Sequence, residues 1–399
     1  MKFSELDGRR IVLWGLGRET LVFRRELGRR LPGARISAVV NDSTPAPEIR
    51  AALAGADVLV RSPGVSIYKP LIAESPTPVT TPTALWMAER EGRHVIGVTG
   101  TKGKSTTATV IAHLLGQLTA TELAGNIGRP VIELLDAPPE TWVVCELSSY
   151  QIADMTVGPE VAVLTNLSRE HTDWHGSEAR YRADKLRLFH LPGVRAAVRP
   201  LGDRGGWPLV LPEEQIPLRG RHNAENVAAA VAAIRAAGFE PPPLPDALAG
   251  LRPLPHRLQT VHTDSDGVEW VDDSISTTPE STLAALEVFA RRPLVLIAGG
   301  SDREQDFTRL GGALAARSAP TRLILVPDTG ERVGAAAAAH GFGADRMSTA
   351  GDMREATRLA RELTEPGAVV LLSPAAPSFN RYANFEERGD HFAALALRA

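Results

Sequence analysis

The chain has 399 residues, 43% of them hydrophobic and 23% charged, with 44 basic against 47 acidic side chains. That balance is ordinary for a globular protein and excludes extended disorder, a fibrous repeat and a coiled coil, while the lack of a basic excess argues against a nucleic-acid partner. A single cysteine, Cys145, excludes an intramolecular disulfide framework and fits a reducing compartment. The start, MKFSELDGRR, lacks the apolar run of a signal peptide, and the most apolar stretches, such as Val227–Ile234, are too short to cross a bilayer. A cytoplasmic enzyme or binding protein, monomeric and without membrane insertion, is the expectation.

Apolar, β-branched runs recur along the chain. Arg10–Trp14, Ile36–Val40, Val58–Val60, Val95–Val98, Trp142–Cys145 and Val161–Leu164 read as buried strands, and Leu294–Ile297, Leu323–Val326 and Val369–Leu372 repeat the pattern. Between many of them lie Ala/Leu/Arg-rich stretches of helical spacing. That alternation predicts α/β architecture with parallel sheets covered by helices. Punctuation marks the domains. A Pro/Thr connector at 75–83 precedes a short helix, and Pro-rich breaks fall at 238–248 and 252–258. After His256, VHTDSDGVEWVDDS reads as a hairpin with an Asp-Gly turn. Three domains are expected, at about 1–92, 93–257 and 258–399. The Ala run 335–339 reads as a helix face.

The strongest chemical signal is VIGVTGTKGKSTT (95–107). A strand runs into a glycine-rich turn and then a helix, which builds an anion nest at a helix N-terminus. Gly100, Thr101 and Gly103 would shape the nest, Lys104 would reach the β/γ-phosphates, and Ser105, with Thr106 beside it, would place a hydroxyl on Mg²⁺. The strict P-loop spacing fails, because Val98 stands where its first glycine would be; a shorter T-G-T-x-G-K-S-T form is present.

Other loops carry weaker signals. Gly15, Leu16 and Gly17 follow the first strand as a GxG turn, equally readable as a nucleotide contact or a structural bend, and Asp42 ends the second strand where a ribose or base contact belongs. Glu146 follows Trp142–Cys145, where α/β enzymes place metal ligands. The loop after Val161–Leu164 concentrates Asn166, Glu170, His171, Asp173 and His175, for which a metal or phosphate role competes with a plain solvated loop. Lys185 lies in a helix, where a lone lysine is ordinarily a solvated face.

Taken in order, TGTKGKSTT, GNIG (125–128), ELSSYQ (146–151), REHTDWHG (169–176), YRADKLRLF (181–189), RHNAENVAAA (221–230), LPHR (254–257), DDS (272–274) and SPAAPSFNRYANFEERGDHF (373–392) resemble the Mur ligases of peptidoglycan synthesis. The GLG start and the C-terminal pattern resemble the glutamate-adding branch. The resemblance implies a Rossmann-like N-terminal domain that binds a UDP-sugar, a central P-loop ATPase-type domain and a Rossmann-like C-terminal domain that binds the amino acid. It implies ATP-dependent joining of glutamate to UDP-N-acetylmuramoyl-L-alanine through an acyl phosphate and a tetrahedral intermediate.

It further implies roles for residues. Lys104, Glu146, His171 and Lys185 would be catalytic; Ser105 and Glu146 would hold one Mg²⁺, and a second would lie near His171 and Lys185. Lys185 would be carbamylated, the reverse of the solvated-face reading. Asn223, Asn226, Arg257 and Asp273 would contact the nucleotide. Gly15, Leu16, Gly17, Asp42, Ser62 and Gly64 would line the UDP site, with Asn126 at the substrate and metal region. Thr277, Arg303, Ser378 and Phe385 would contact the amino acid. The stretch from Lys185 to His256 is compact for this family.

Three departures stand out: Lys102 in the phosphate loop where the family usually has Asn, Ile275 in DDSIST where lysine is usual, and Arg303 where a lysine grips the glutamate α-carboxylate. TKGKS together with DSISTT resembles a subgroup that adds L-glutamate, leaving D-glutamate as the alternative. A folylpolyglutamate-synthase-like ligase is disfavoured by the full N-terminal nucleotide domain, and an inactive nucleotide-binding regulator by the presence of Lys104, Glu146, His171 and Lys185.

Overall fold

The computed structural model describes residues 1–167, 172–201 and 206–397, with Thr172 and Asp173 as backbone alone. The chain divides into two compact units, one of residues 1–216 with 223–251 and one of 217–222 with 252–399.

The first unit holds two sheets. Strands β1 (Arg10–Trp14), β2 (Arg35–Val40), β3 (Val58–Arg61) and β4 (Val79–Thr80) form a parallel sheet in the order β2-β1-β3-β4. Strands β5 (Val95–Thr99), β6 (Thr121–Gly125), β7 (Trp142–Glu146), β8 (Val161–Leu164) and β9 (Ala196–Val198) form a second, parallel in the order β6-β7-β5-β8-β9. A single apolar cluster runs through both, from Phe3, Ile11, Leu13 and Phe23 to Trp86, Val95, Val143, Leu147 and Leu188. Burying that shared surface makes the two sheets one body. The Pro/Thr connector is structured by its own residues: Thr81 accepts from the Ala84 N–H at 3.2 Å and Pro82 opens the helix Pro82–Glu89.

The second unit holds one six-stranded sheet of β10 (Gln259–Thr263), β11 (Glu269–Asp272), β12 (Leu294–Ala298), β13 (Thr321–Leu325), β14 (Met347–Thr349) and β15 (Val369–Leu372), ordered β10-β11-β15-β12-β13-β14. Only the β10–β11 hairpin is antiparallel. Successive residues face opposite sides. Leu294, Leu296, Leu323 and Leu371 meet Leu286, Leu310 and Val333, while Val295, Ile297, Ile324 and Leu372 meet Met353, Ala356 and Phe392. Helices cover both faces, so these strands read as unbroken apolar runs.

All nine strands expected from the sequence are present, with ends within two residues. The hairpin is present, and the Ala run lies in the helix Gly330–Ala339. Strands β4, β6, β9 and β14 went unread because they are two to five residues long or mix polar residues and glycine.

Candidate functional site

In the second sheet the strand order turns at β5, and the carboxyl ends of the strands beside it are the switch point where open α/β sheets place their ligands. The phosphate loop leaves β5 there and enters the helix Lys104–Leu115. Gly103 is its N-cap residue at φ +79°, with no side-chain cap, and a Cβ on it would lie 2.4 Å from Asn226 Oδ1. Only glycine fits that close approach. Lys104 Nζ donates to the Thr101 carbonyl at 2.9 Å, curling its ammonium back over the loop. Thr106 Oγ1 is buried with no hydrogen-bond partner in the described structure.

Register brings Glu146 to the same point, since it pairs with Val98 on one side and Gly125 on the other. Its carboxylate is 1% exposed and accepts from Ser105 Oγ at 2.7 Å and Asn126 Nδ2 at 2.9 Å. A buried carboxylate, a hydroxyl and an amide oxygen are the hard donors that Mg²⁺ takes. The orphaned Thr106 hydroxyl and the glycine-lined turn likewise suit a phosphate, so these residues fit a nucleotide with its metal.

Thr165 and Asn166, from the end of β8, brace the loop. Thr165 Oγ1 and Asn166 Nδ2 donate to the Lys102 carbonyl at 2.6 and 3.0 Å, and Asn166 Oδ1 accepts from the Lys102 N–H at 2.9 Å. Asn166 therefore holds the loop backbone. Asn223 and Asn226 lie buried on the helix Arg221–Ala236, joined at 3.1 Å, and Thr107 donates to Asn226 Oδ1 at 3.2 Å.

Lys185 is 2% exposed and donates to the Gly100 carbonyl at 2.9 Å, which corrects the solvated-face reading. His171 and Glu170 lie outside the described residues, as does the Asp173 side chain. His175 is buried and has both ring nitrogens engaged: Nδ1 meets Asp184 Oδ2 at 2.6 Å and Nε2 meets Ser149 Oγ at 3.0 Å. Tyr68 donates to both Asp184 oxygens at 2.7 Å; burial, then the hydrogen bond to that carboxylate, pushes its phenol pKa well up and keeps it the donor. Among the described residues no cluster of three or more His, Cys, Asp or Glu side chains could hold a metal.

On the first sheet, Gly15 donates its N–H to the Val40 carbonyl, and Gly17 opens the helix Arg18–Arg30, with Leu16 exposed between them. Asp42 accepts from Trp14 Nε1 at 3.1 Å and pairs with Lys69 at 3.2 Å. Ser62 N–H donates to the Trp14 carbonyl, and the Gly64 carbonyl accepts from Trp174 Nε1 at 3.1 Å. Gly15, Asp42 and Ser62 thus meet at one end of the first sheet.

In the second unit, three loops converge at the carboxyl ends of the adjacent strands β11, β15 and β12. They carry Asp273 and Thr277, Ser378, and Arg303, and Phe385 opens the helix Phe385–Ala396 that follows the β15 loop. Asp273 is buried and accepts from Ser373 Oγ at 2.7 Å; burial raises its pKa to about 6 against the pull of Ser276, Ser373 and the Arg257 charge. Arg303 lies with its guanidinium 5.2 Å from the centre of the exposed Phe379 ring. Ile275 is half-buried. Arg388 was given no role by sequence, yet it ties the loops after β11 and β15 together. It donates to Ser274 Oγ at 2.9 Å, the Ser274 carbonyl at 2.8 Å and the Ala376 carbonyl at 3.0 Å, and burial lowers its pKa to about 10. The Arg-Gly pair in FEERG was its signal, since a buried arginine must spend its donors on fixed carbonyls.

Comparison with known proteins identifies the family. The Mur ligase middle domain matches residues 98–204, and the Mur ligase glutamate ligase domain matches residues 256–376. A UDP-N-acetylmuramoyl-L-alanine–L-glutamate ligase from Xanthomonas euvesicatoria pv. vesicatoria is 39% identical over 99% of this chain and 97% of its own length. A protein of the same name from Salinispora tropica is 39% identical over 98% of each chain. The aligned 462 and 450 positions exceed the 399 residues here, so the relatives carry segments this chain lacks. Among solved structures, the MurF ligase of Thermotoga maritima in complex with ADP matches with TM-score 0.60 at 16% identity over 100% of both chains, a likeness of fold. The chain belongs to the Mur ligase family.

Proposed function

We propose that this protein is an ATP-dependent ligase that joins L-glutamate to UDP-N-acetylmuramoyl-L-alanine in peptidoglycan synthesis. The observation that carries the chemistry is Glu146, buried beneath the phosphate loop and bonded to both Ser105 and Asn126. The near full-length relationship to glutamate ligases supports the substrate.

Residues 1–92 would take the UDP-sugar, 93–257 the ATP and 258–399 the amino acid. The substrate carboxylate attacks the γ-phosphorus, ADP leaves, and the glutamate amine then attacks the acyl carbon and expels phosphate. Phosphoryl transfer between two anions needs neutralised charge and in-line placement more than covalent help. Lys104 supplies a cation at the β/γ-phosphates, and the turn at Gly100–Gly103 orients them. Ser105 and Glu146 would hold one Mg²⁺, and His171 with a carbamylated Lys185 a second; the bound ions supply charge neutralisation for the transferring group. Asn223, Asn226, Arg257 and Asp273 would grip the nucleotide. Gly15, Leu16, Gly17, Asp42, Ser62, Gly64 and Asn126 would place the UDP-muramoyl acid, and Thr277, Arg303, Ser378 and Phe385 the amino acid. The protein would work in the cytoplasm as a monomer.

The test is incubation with UDP-N-acetylmuramoyl-L-alanine, ATP, Mg²⁺ and each glutamate enantiomer, reading phosphate release and product mass. Product from L-glutamate is expected. Product from D-glutamate alone leaves the ligase and reverses the handedness; no product with either removes the assignment.

A further inference from the structure

One buried polar chain remains unexplained by the phosphate loop: Tyr68 to Asp184, Asp184 to His175, His175 to Ser149. His175, Ser149 and Asp184 are 0%, 2% and 8% exposed. Serine, histidine and aspartate in this order have the make-up of a hydrolytic triad, but a buried Ser149 hydroxyl gives a substrate no approach. The chain is suited to placing things rather than attacking them.

What it places follows from the sequence. Asp184 and Lys185 are neighbours on the helix Glu178–Arg187, so their side chains leave it about 100° apart. Fixing the Asp184 carboxylate fixes the rotation of that helical turn, and with it the line along which Lys185 reaches the Gly100 carbonyl at 2.9 Å. Tyr68 comes from the loop after β3, on the other sheet of the same unit. That loop is tied down further by Ser66 Oγ donating to the Trp174 carbonyl at 2.7 Å and by the Gly64 carbonyl accepting from Trp174 Nε1. The Arg180 guanidinium lies 4.5 Å from the centre of the Tyr68 ring, holding it against the same helix.

We propose that Tyr68 is a positioning residue for Lys185: its hydroxyl, acting through Asp184, couples the loop assigned to the UDP-sugar to the lysine beneath the phosphate loop. This rests on the ligase reading above. Without the hydroxyl, Asp184 keeps, among the described residues, only His175 as a side-chain partner, and the helical turn loses its tie to the Tyr68 loop. In a transfer that depends on in-line placement, a shift of about 1 Å costs on the order of a hundredfold in rate.

Tyr68→Phe removes the hydroxyl and keeps the ring that Arg180 covers. In the full-length enzyme with UDP-N-acetylmuramoyl-L-alanine, ATP and glutamate, kcat is expected to fall about tenfold or more while KM for ATP and glutamate stays within about threefold. ADP affinity by calorimetry and the melting temperature should stay near the parent's. Asp184→Asn, which keeps the volume, should show the same split, and the double variant should be no slower than Asp184→Asn alone, because the two residues act through one path. If Tyr68→Phe does not fold, Asp184→Asn carries the expectation by itself. A folded Tyr68→Phe enzyme with parental kcat or with a rise in KM alone, or an Asp184→Asn enzyme with parental kcat, overturns the proposal and leaves the ligase reading standing. A parent that forms no product with either enantiomer overturns both.

Discussion

Ser105 donates its hydroxyl to Glu146 across 2.7 Å, tying the first turn of the phosphate-loop helix to the end of β7. The hydroxyl is satisfied before any ligand arrives, and the carboxylate is held by a second donor, Asn126. Glu146→Gln keeps the shape of this arrangement and removes the charge. Ligation is expected to fall by roughly a hundredfold or more, the scale seen when a preorganised electrostatic group is lost. The melting temperature should change little. Phosphate-release assays beside thermal melts check it, and parental turnover would remove Glu146 from the metal site.

Lys104→Ala should abolish ligation and leave the protein folded. Lys104 is only partly buried and its ammonium rests on a loop carbonyl, so its loss removes charge at the phosphates and little packing. Activity within a few-fold of the parent would undo the phosphate-loop assignment.

For Lys185→Ala the expected result is a nearly inactive enzyme, partly restored by short carboxylates such as formate or acetate, which supply the negative charge a carbamate would carry. The parent side chain fills a buried site, so a void remains for such an acid to enter. Turnover measured against carboxylate concentration decides; normal turnover without rescue would make Lys185 a structural residue only.

How far the sequence could be read follows the physics of each element. Strands buried on both faces announce themselves as apolar runs, and a phosphate loop must spell its glycines and lysine in one stretch, so both were legible. Tyr68 was not, because its partner Asp184 lies more than a hundred residues away and nothing local marks a loop tyrosine as a donor. Lys185 looked solvated because a helix shows its neighbours in sequence, not the Gly100 carbonyl that sits above it. Asn166 was legible as polar and loop-borne, but its task of pinning the Lys102 peptide depends on how β8 lies beside β5.

Asp273 predicts a pH effect. Its folded pKa, about 6, lies above that of an unfolded aspartate, so between roughly pH 4 and 6 the folded state binds more protons than the unfolded one. Stability of the second unit should fall as pH rises through that window, by about 2–3 kcal/mol at most. Asp273→Asn should remove the fall, so its melting temperature gains on the parent at pH 8 relative to pH 4, while ligation drops. Parallel pH dependences in the two proteins would show that Asp273 does not carry the effect.

Arg303 offers a handle on handedness. Its planar guanidinium, lying over Phe379, presents a fork where a lysine presents a point charge. Arg303→Lys should lower kcat/KM for L-glutamate by about tenfold or more, since a bidentate grip on a carboxylate is lost. It should change KM for ATP little. Steady-state kinetics with both enantiomers check this, and an unchanged kcat/KM would place the α-carboxylate elsewhere.

Each of the three sheets ends on a very short strand: β4 has two residues, β9 three and β14 three. A border that short offers an incoming chain too few unpaired amides and carbonyls to template further pairing. Of the opposite borders, β10 shifts register between Thr260 and His262, and β2 pairs with β1 through a shift between Ile11 and Val12, which spoils the match of each to a straight foreign strand. Each sheet thus has at least one border that resists pairing edge to edge with a copy of itself, where nascent chains of the same sequence emerge side by side.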